Sequence, residues 1–140
     1  YGLNYTHDSA AMFKATMEAI AYEYKMYFDI LQASGTMELP HVVYGTGGGS
    51  ASPCFNQIKA DVLGIHYAVT SRRDTAPFGA ALIAGYGVGI FSDLAVAASS
   101  FATVTDTYSP DAKKHEQYEP YAIQYAELLS QCGILRQSYE

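Results

Sequence analysis

A glycine-rich stretch is the part of the sequence whose residue types could do chemistry. It reads Gly45-Thr-Gly-Gly-Gly-Ser-Ala-Ser-Pro53. Glycines have no Cβ atom, so a phosphate or a nucleoside can approach the backbone there. A helix that begins at Pro53 would add free N–H donors and the positive end of its dipole. The stretch therefore predicts a loop that binds a nucleotide or phosphate, and a plain strand-to-helix turn is the alternative that the motif leaves open.

Two common nucleotide motifs do not match this stretch. No Gly-Lys-Ser/Thr follows the glycines, so the stretch is not a P-loop. A dinucleotide motif that starts at Gly45 would need glycine at Ser50. The predicted ligand is thus a nucleotide or another phosphorylated molecule, and neither of these motifs identifies which one.

The elements on either side of the glycines predict where they lie. Residues 42–44 are β-branched and aromatic, which is typical of a short buried strand. A helix is predicted over 52–63, with Ser52 as its N-cap, Pro53 in its first position and Gly64 as its stop. Ligands of parallel α/β sheets bind at the carboxyl ends of strands, and the glycines occupy such an end.

The rest of the chain alternates in the same way. Helices are predicted over 9–34, from residue 77 to 85 or 89, over 93–99 and over 112–131, and further strands over 67–70 and 102–107. Helices between strands indicate an α/β fold with short parallel strands. Two or three short strands leave open sheet edges, so we expect the chain to be part of a larger sheet.

Charge and composition exclude several classes of protein. Eight basic and fourteen acidic residues give a net charge of −6, which argues against nucleic acid as a partner. A hydrophobic fraction of 49% with 16% charged residues excludes a disordered chain. The longest apolar stretch, residues 79–91, is too short for the roughly 20 residues of a membrane span. A cytoplasmic protein is expected.

Cysteine and histidine are placed as in a protein without disulfide bonds or a metal centre. Cys54 and Cys132 are far apart in sequence and form no CxxC motif, so both are predicted to be small buried residues in a reduced protein. The four histidines show no HxxxH or HExxH spacing. No metal-ligating residue is therefore predicted.

Three motifs, in order along the chain, resemble the FGGY family of carbohydrate kinases. The glycine stretch continued by Gln57-Ile-Lys-Ala-Asp-Val-Leu-Gly64 resembles the adenosine-binding motif of that family. Residues 77–89 resemble its next helix. Gly2-Leu3 with Ala15-Thr-Met-Glu18 resembles a family signature, although Ala11 stands where the signature usually has a polar residue. The ending, residues 108–110 and 118–121, resembles the tail of xylulose kinases.

The resemblance implies an architecture and an activity. It implies an incomplete ribonuclease H-like (actin-like ATPase) fold, in which residues 1–140 are part of the C-terminal domain of a two-domain sugar kinase. It implies an ATP-dependent kinase that phosphorylates a pentulose such as D-xylulose, with Mg²⁺ held mainly by parts outside this chain. The sugar pocket and the catalytic aspartate also lie outside it, so no catalytic residue is expected here. Alone, the chain is expected to be inactive.

The alternative is a stand-alone nucleotide-binding or interaction module without catalysis. Such a module would be a homo-oligomer that completes its sheet by strand pairing. A structural fragment without any ligand is a third hypothesis.

The resemblance also implies roles for single residues. Gly47, Gly48, Gly49 and Ser52 would bind ATP: the glycines would lie against adenosine and the α-phosphate, and Ser52 would hydrogen-bond the nucleotide, cap the helix, or do both. From their spacing on a helix face, Gln57 and Asp61 are predicted to be structural, and Glu18 to form a structural ion pair. Six tyrosines are predicted to be core or helix-contact residues rather than a sugar-stacking platform: Tyr22, Tyr24, Tyr27, Tyr118, Tyr121 and Tyr125.

Overall fold

The chain folds into helices around a small sheet. The computed structural model describes residues 2–72, 74–101 and 103–133. The order of elements is α1 (Ser9–Ala33), β1 (Val42–Gly45), a 3₁₀ turn (Gly48–Ala51), α2 (Pro53–Leu63), β2 (His66–Thr70), α3 (Thr75–Gly87), α4 (Leu94–Phe101), β3 (Val104–Tyr108) and α5 (Ala112–Gln131). The predicted alternation of helices and strands is confirmed.

The sheet has the order β1-β2-β3 and is mixed. β1 and β2 pair in parallel, with Val42 opposite His66 and Gly45 opposite Val69. This is the pairing that a single intervening helix predicts. β3 pairs with β2 in the antiparallel direction, with Tyr67 opposite Tyr108. Two helices, α3 and α4, separate β2 from β3, and β3 begins at the end of the sheet where β2 finishes, with Val104 opposite Thr70. Ala102, the first residue of the predicted third strand, lies outside the described residues.

Several helix ends are set by residues whose type favours capping. The Asp8 carboxylate accepts a hydrogen bond from the Ala11 amide at 2.8 Å and caps α1. Gly64 ends α2 with a φ of 68°, a left-handed conformation that glycine adopts without a Cβ clash. α3 begins at Thr75 rather than at Pro77, because proline is tolerated anywhere within the first turn.

α2 lies at the centre of the packing. On one face, Ile58 and Val62 form a cluster with Ala21 of α1, and Tyr118 of α5 packs against it. On the opposite face, Ala60 contacts the sheet through Tyr67 and Val69. α2 is thus buried between the sheet and the pair α1 and α5, and seven of its eleven residues are buried.

The expectation for the cysteines was wrong. Cys54 and Cys132 are free and both are exposed. Cys54 lies in the first turn of α2 and Cys132 caps the end of α5, and helix ends are reached by solvent more easily than helix centres. No helix among the described residues has the length and apolar character needed to cross a membrane.

Candidate nucleotide-binding loop

The glycine loop starts where β1 ends, at the carboxyl edge of the parallel pair. Gly47 has a φ of 77°, which turns the chain out of the strand. Its carbonyl oxygen accepts hydrogen bonds from the Ser50 amide at 3.2 Å and from the Ser50 hydroxyl at 2.7 Å. The stretch is therefore a compact 3₁₀ turn rather than an extended loop, and it brings Gly47, Gly48, Gly49 and Ser52 into one continuous segment.

Ser52 uses its hydroxyl to start α2. Its Oγ accepts a hydrogen bond from the Phe55 amide at 3.3 Å, and Pro53 occupies the first helical position. The predicted capping role is confirmed. A hydroxyl has one donor and two acceptor directions, so the cap leaves Ser52 able to contact a ligand as well.

The outer faces of the glycines are bare. A Cβ atom built on Gly47 or Gly48 meets no other heavy atom within 4 Å, and one on Gly49 approaches only the Phe55 ring, at 3.8 Å. Gly48 and Gly49 are also exposed, so their backbone is open to solvent. This is the shape that a nucleotide lying against the backbone requires.

Two buried side chains of α2 hold the loop from its inner side. The Asn56 amide donates to the Ser50 carbonyl at 2.8 Å, and the Lys59 ammonium donates to the Gly49 carbonyl at 3.2 Å. Asn56 is 1% exposed and Lys59 is 2% exposed. Neither Asn56 nor Lys59 was predicted from the sequence to support the loop. The available signal was a lysine directly between Ile58 and Ala60 on a helix predicted to be packed.

Lys59 lies in a pocket of polar acceptors and aromatic rings. Its Nζ donates to the Tyr67 hydroxyl at 3.1 Å and to the Asn56 side-chain oxygen at 3.4 Å. It also lies 3.9 Å from the centre of the Phe55 ring. No carboxylate of the described residues pairs with this ammonium. Burial disfavours the charged form and lowers the pKa of Lys59 to about 8.

Tyr67 connects Lys59 with the beginning of the loop. Its ring lies directly on the Gly45 backbone, where a Cβ atom would overlap the ring and the hydroxyl. Burial raises the pKa of the Tyr67 phenol, so it stays neutral and accepts the hydrogen bond from Lys59. A continuous line of contacts beneath the glycine loop thus runs from Gly45 through Tyr67 and Lys59 to Gly49.

Gln57 and Asp61 have the structural role that was predicted for them. The Gln57 amide donates to the Asp61 carboxylate at 2.7 Å and to the Ser109 carbonyl at 2.9 Å. Asp61 also accepts a hydrogen bond from the Asp111 amide at 2.9 Å, and Lys114 lies 3.6 Å from it. These bonds join α2 to the connection between β3 and α5, away from the glycine loop.

Glu18 is also structural. Its carboxylate lies 3.0 Å from the Lys14 ammonium and accepts a hydrogen bond from the Tyr118 hydroxyl at 2.9 Å. Burial, and then the bond to Glu18, raise the pKa of Tyr118 well above its ordinary value. The predicted ion pair is confirmed and lies within α1, while the hydrogen bond from Tyr118 joins α1 to α5.

The six tyrosines divide into three groups. Tyr22 contacts the rings of Tyr118 and Tyr125 at centroid distances of 6.1 and 5.8 Å, so these three join α1 to α5 as predicted. Tyr24 and Tyr27 are partly exposed and border a cleft of about 340 Å³ that reaches Gly45 at the base of the loop. Tyr121 is 58% exposed, so the expectation of a core position was wrong for it.

Among the described residues, no group of three or more His, Cys, Asp or Glu side chains is arranged to hold a metal ion.

Comparison with known proteins places this geometry in a class. The structure of the ligand-bound xylulose kinase from Lactobacillus acidophilus superposes with a TM-score of 0.77 at 22% identity, over 99% of this chain and 27% of that one. The described α/β arrangement is therefore that of the sugar kinases with an actin-like ATPase fold.

Sequence comparison gives the family. The profile of the FGGY family of carbohydrate kinases, C-terminal domain, matches residues 1–88, and the chain belongs to this family. It is 25% identical over 130 residues to the xylulose kinase of Staphylococcus epidermidis, covering 93% of this chain and 26% of that protein. It is 35% identical over 80 residues to the autoinducer-2 kinase of Escherichia coli K12, covering 57% of this chain and 15% of that protein. The chain thus spans about a quarter, or less, of the length of these relatives.

Proposed function

We propose that this chain supplies the adenosine-binding part of an ATP-dependent carbohydrate kinase. In this proposal, residues 1–140 belong to the C-terminal actin-like domain of a two-domain enzyme. The observation that carries it is the open glycine backbone at the carboxyl end of β1, held rigidly from the α2 side. Family membership supports the same conclusion.

Each residue of the loop has a defined part in the proposal. Gly48 and Gly49 lie against the adenosine and the α-phosphate, since their outer faces are free of side chains. Gly47 keeps the turn in the conformation that exposes them. Ser52 caps α2 and donates its hydroxyl hydrogen to the nucleotide.

We propose a pentulose such as D-xylulose as the sugar, because xylulose kinases are among the relatives. Autoinducer-2 kinase is also among them, so other sugars are the competing substrates. Phosphoryl transfer needs a base for the sugar hydroxyl and Mg²⁺ at the phosphates. The loop supplies neither, so in this proposal both belong to other parts of the enzyme.

A cytoplasmic location is part of the proposal. Both cysteines are free and exposed. Exposed thiols persist in reducing compartments, where ATP-dependent sugar metabolism takes place.

The nucleotide-binding role is tested by titrating the 140-residue chain with ATP while amide NMR shifts are followed. We expect shifts centred on residues 47–52. A Gly48→Val variant should lose them, because its side chain fills the open face. The matched control is Gly79→Ala in α3, where an added Cβ also meets nothing within 4 Å. If ATP leaves residues 47–52 of the wild type unchanged, the loop is only a structural turn.

The assignment of the catalytic base and the metal ligands to other parts of the enzyme is tested by an activity assay. The purified chain should not phosphorylate D-xylulose, because we assign the base and the metal ligands to other parts of the enzyme. Measurable sugar phosphate from this chain alone would contradict that assignment. A panel of pentuloses, gluconate and the autoinducer-2 sugar, assayed on the longer kinase that we propose contains this chain, identifies the substrate.

A further inference from the structure

We propose that the buried charge of Lys59 makes the glycine loop select phosphorylated nucleotides over the unphosphorylated nucleoside. This inference rests on the proposed nucleotide-binding role of the loop and specifies the chemistry that the loop recognises. It assigns to Lys59 a function besides holding the chain in place.

The first step is the position of the charge. The Lys59 ammonium lies on the inner side of the loop, 3.2 Å from the Gly49 carbonyl oxygen. Gly49 is itself exposed, and the proposed ligand would lie on that exposed backbone. One layer of backbone therefore separates the ammonium from the ligand.

The second step is the absence of a counter-charge. The acceptors of Lys59 are two neutral oxygens from side chains, on Asn56 and Tyr67, and one backbone carbonyl. No described carboxylate pairs with it. A charge without a partner keeps its full field, and burial at 2% exposure weakens its screening by solvent.

Three of the other lysines differ from Lys59 in their pairing. Lys14, Lys25 and Lys114 are each paired with a carboxylate within 4 Å. Their fields are largely cancelled at the surface. Lys59 differs because it is buried, held by neutral groups and directed at the glycine loop. An anion on the loop would be the partner that this ammonium otherwise lacks.

The test uses binding of ATP and of adenosine to the 140-residue chain, measured by calorimetry or amide shifts. The wild type should bind ATP more tightly than adenosine. Lys59→Met should lose about tenfold in ATP affinity and less than about twofold in adenosine affinity. The matched control is Lys113→Met, which removes the same charge from the start of α5. That end is next to Asp61, at the opposite end of α2 from the loop. It should leave both affinities unchanged.

A pH series separates the charge from the hydrogen bond to Gly49. The neutral amine of Lys59 can still donate to that carbonyl, so deprotonation removes the charge and keeps the loop held. The titratable group that faces it from β2 is the Tyr67 phenol, on which Tyr24 of α1 acts electrostatically. Burial keeps that phenol neutral. The preference for ATP should fall between about pH 7 and pH 9.5 in the wild type and persist in Lys59→Arg, whose guanidinium stays charged.

The outcomes distinguish a failure of this inference from a failure of the proposed nucleotide-binding role. If Lys59→Met weakens ATP and adenosine equally in a variant that circular dichroism shows to be folded, Lys59 acts through the shape of the loop and the inference is overturned. The same holds if the ATP preference of the wild type does not change with pH. If the wild type binds neither ligand, the nucleotide-binding role itself is overturned, and the inference with it.

Discussion

α2 and α3 each follow a strand of the parallel pair. The more polar helix, α2, is nevertheless the more buried of the two. α2 contains asparagine, glutamine, lysine and aspartate, and seven of its eleven residues are buried. α3 is composed almost entirely of alanine, glycine and apolar residues, and two of its thirteen residues are buried, Leu82 and Gly85. The polar helix is inside and the apolar helix is outside.

The position of each helix in the layers explains this difference. α2 lies between the sheet and the pair α1 and α5, so two opposite faces of it pack against protein. α3 packs against α4 and leaves Ile83 and Tyr86 exposed. The buried polar groups of α2 are all used, either on the glycine loop or on the connection to α5. Burial thus follows the architecture, and the polar residues of α2 are those that hold neighbouring segments.

The same substitution in the two helices should show the largest contrast. Ile58→Ala in α2 is expected to lower the free energy of unfolding by about 3 kcal/mol, because it leaves a cavity in the cluster with Ala21 and Val62. Ile83→Ala in α3 should change it by less than about 0.5 kcal/mol, since Ile83 is 63% exposed. Urea denaturation followed by circular dichroism measures both. Equal losses would mean that α3 is as well packed as α2.

Removal of the Asp61 carboxylate should have the next largest effect. Asp61→Ala leaves the Gln57 amide and the Asp111 amide without their acceptor, at a cost of about 2–3 kcal/mol. Asp106→Ala, on the exposed face of β3, is the control and should cost less than about 0.5 kcal/mol. Thermal unfolding compares the two variants. A small loss for Asp61→Ala would show that water replaces its partners.

Lys59 gives the buried helix a dependence on pH. Its pKa is about 8 in the folded chain and about 10.4 when unfolded. Between these values the unfolded state binds more protons, so stability rises with pH. We expect the wild type to gain about 2 kcal/mol relative to Lys59→Met between about pH 7 and pH 10. Denaturation midpoints of both proteins across this range provide the measurement, and parallel pH profiles would contradict the assigned burial.

The cap of α2 should have the smallest effect of the four. Ser52→Ala removes the acceptor for the Phe55 amide and should cost about 1 kcal/mol. Ser52→Asp keeps an acceptor at the same place and should restore most of that stability. Chemical denaturation again measures the effect. If Ser52→Asp is as unstable as Ser52→Ala, the hydroxyl has a further partner that the cap does not explain.

The fold was largely predictable because its signals are local. Asp8, Ser52 and Gly64 mark helix ends by their own hydrogen-bonding or conformational properties, and each does so in the structure. The direction of β3 was not predictable in this way. It depends on how the pair α3 and α4 returns the chain, and pairing across that distance leaves no local pattern.

The candidate loop was predictable from the sequence, but the side chains that hold it from below were not. The glycines and Ser52 stand next to one another in sequence, so their common location follows from the motif. Lys59 and Tyr67 reach the loop from a helix and from the neighbouring strand. A lysine is usually expected at the surface. Its burial depends on three-dimensional contacts that residue type alone does not indicate.

The contact between Gly45 and Tyr67 has a consequence for how this sequence can evolve. The two residues share one volume, because a side chain on Gly45 would overlap the Tyr67 ring. A larger residue at 45 therefore requires a smaller one at 67, and that exchange removes the phenol to which Lys59 donates. Positions 45, 59 and 67 should consequently vary together across related kinases. Lineages that place a bulky residue at 45 should carry an uncharged residue at 59.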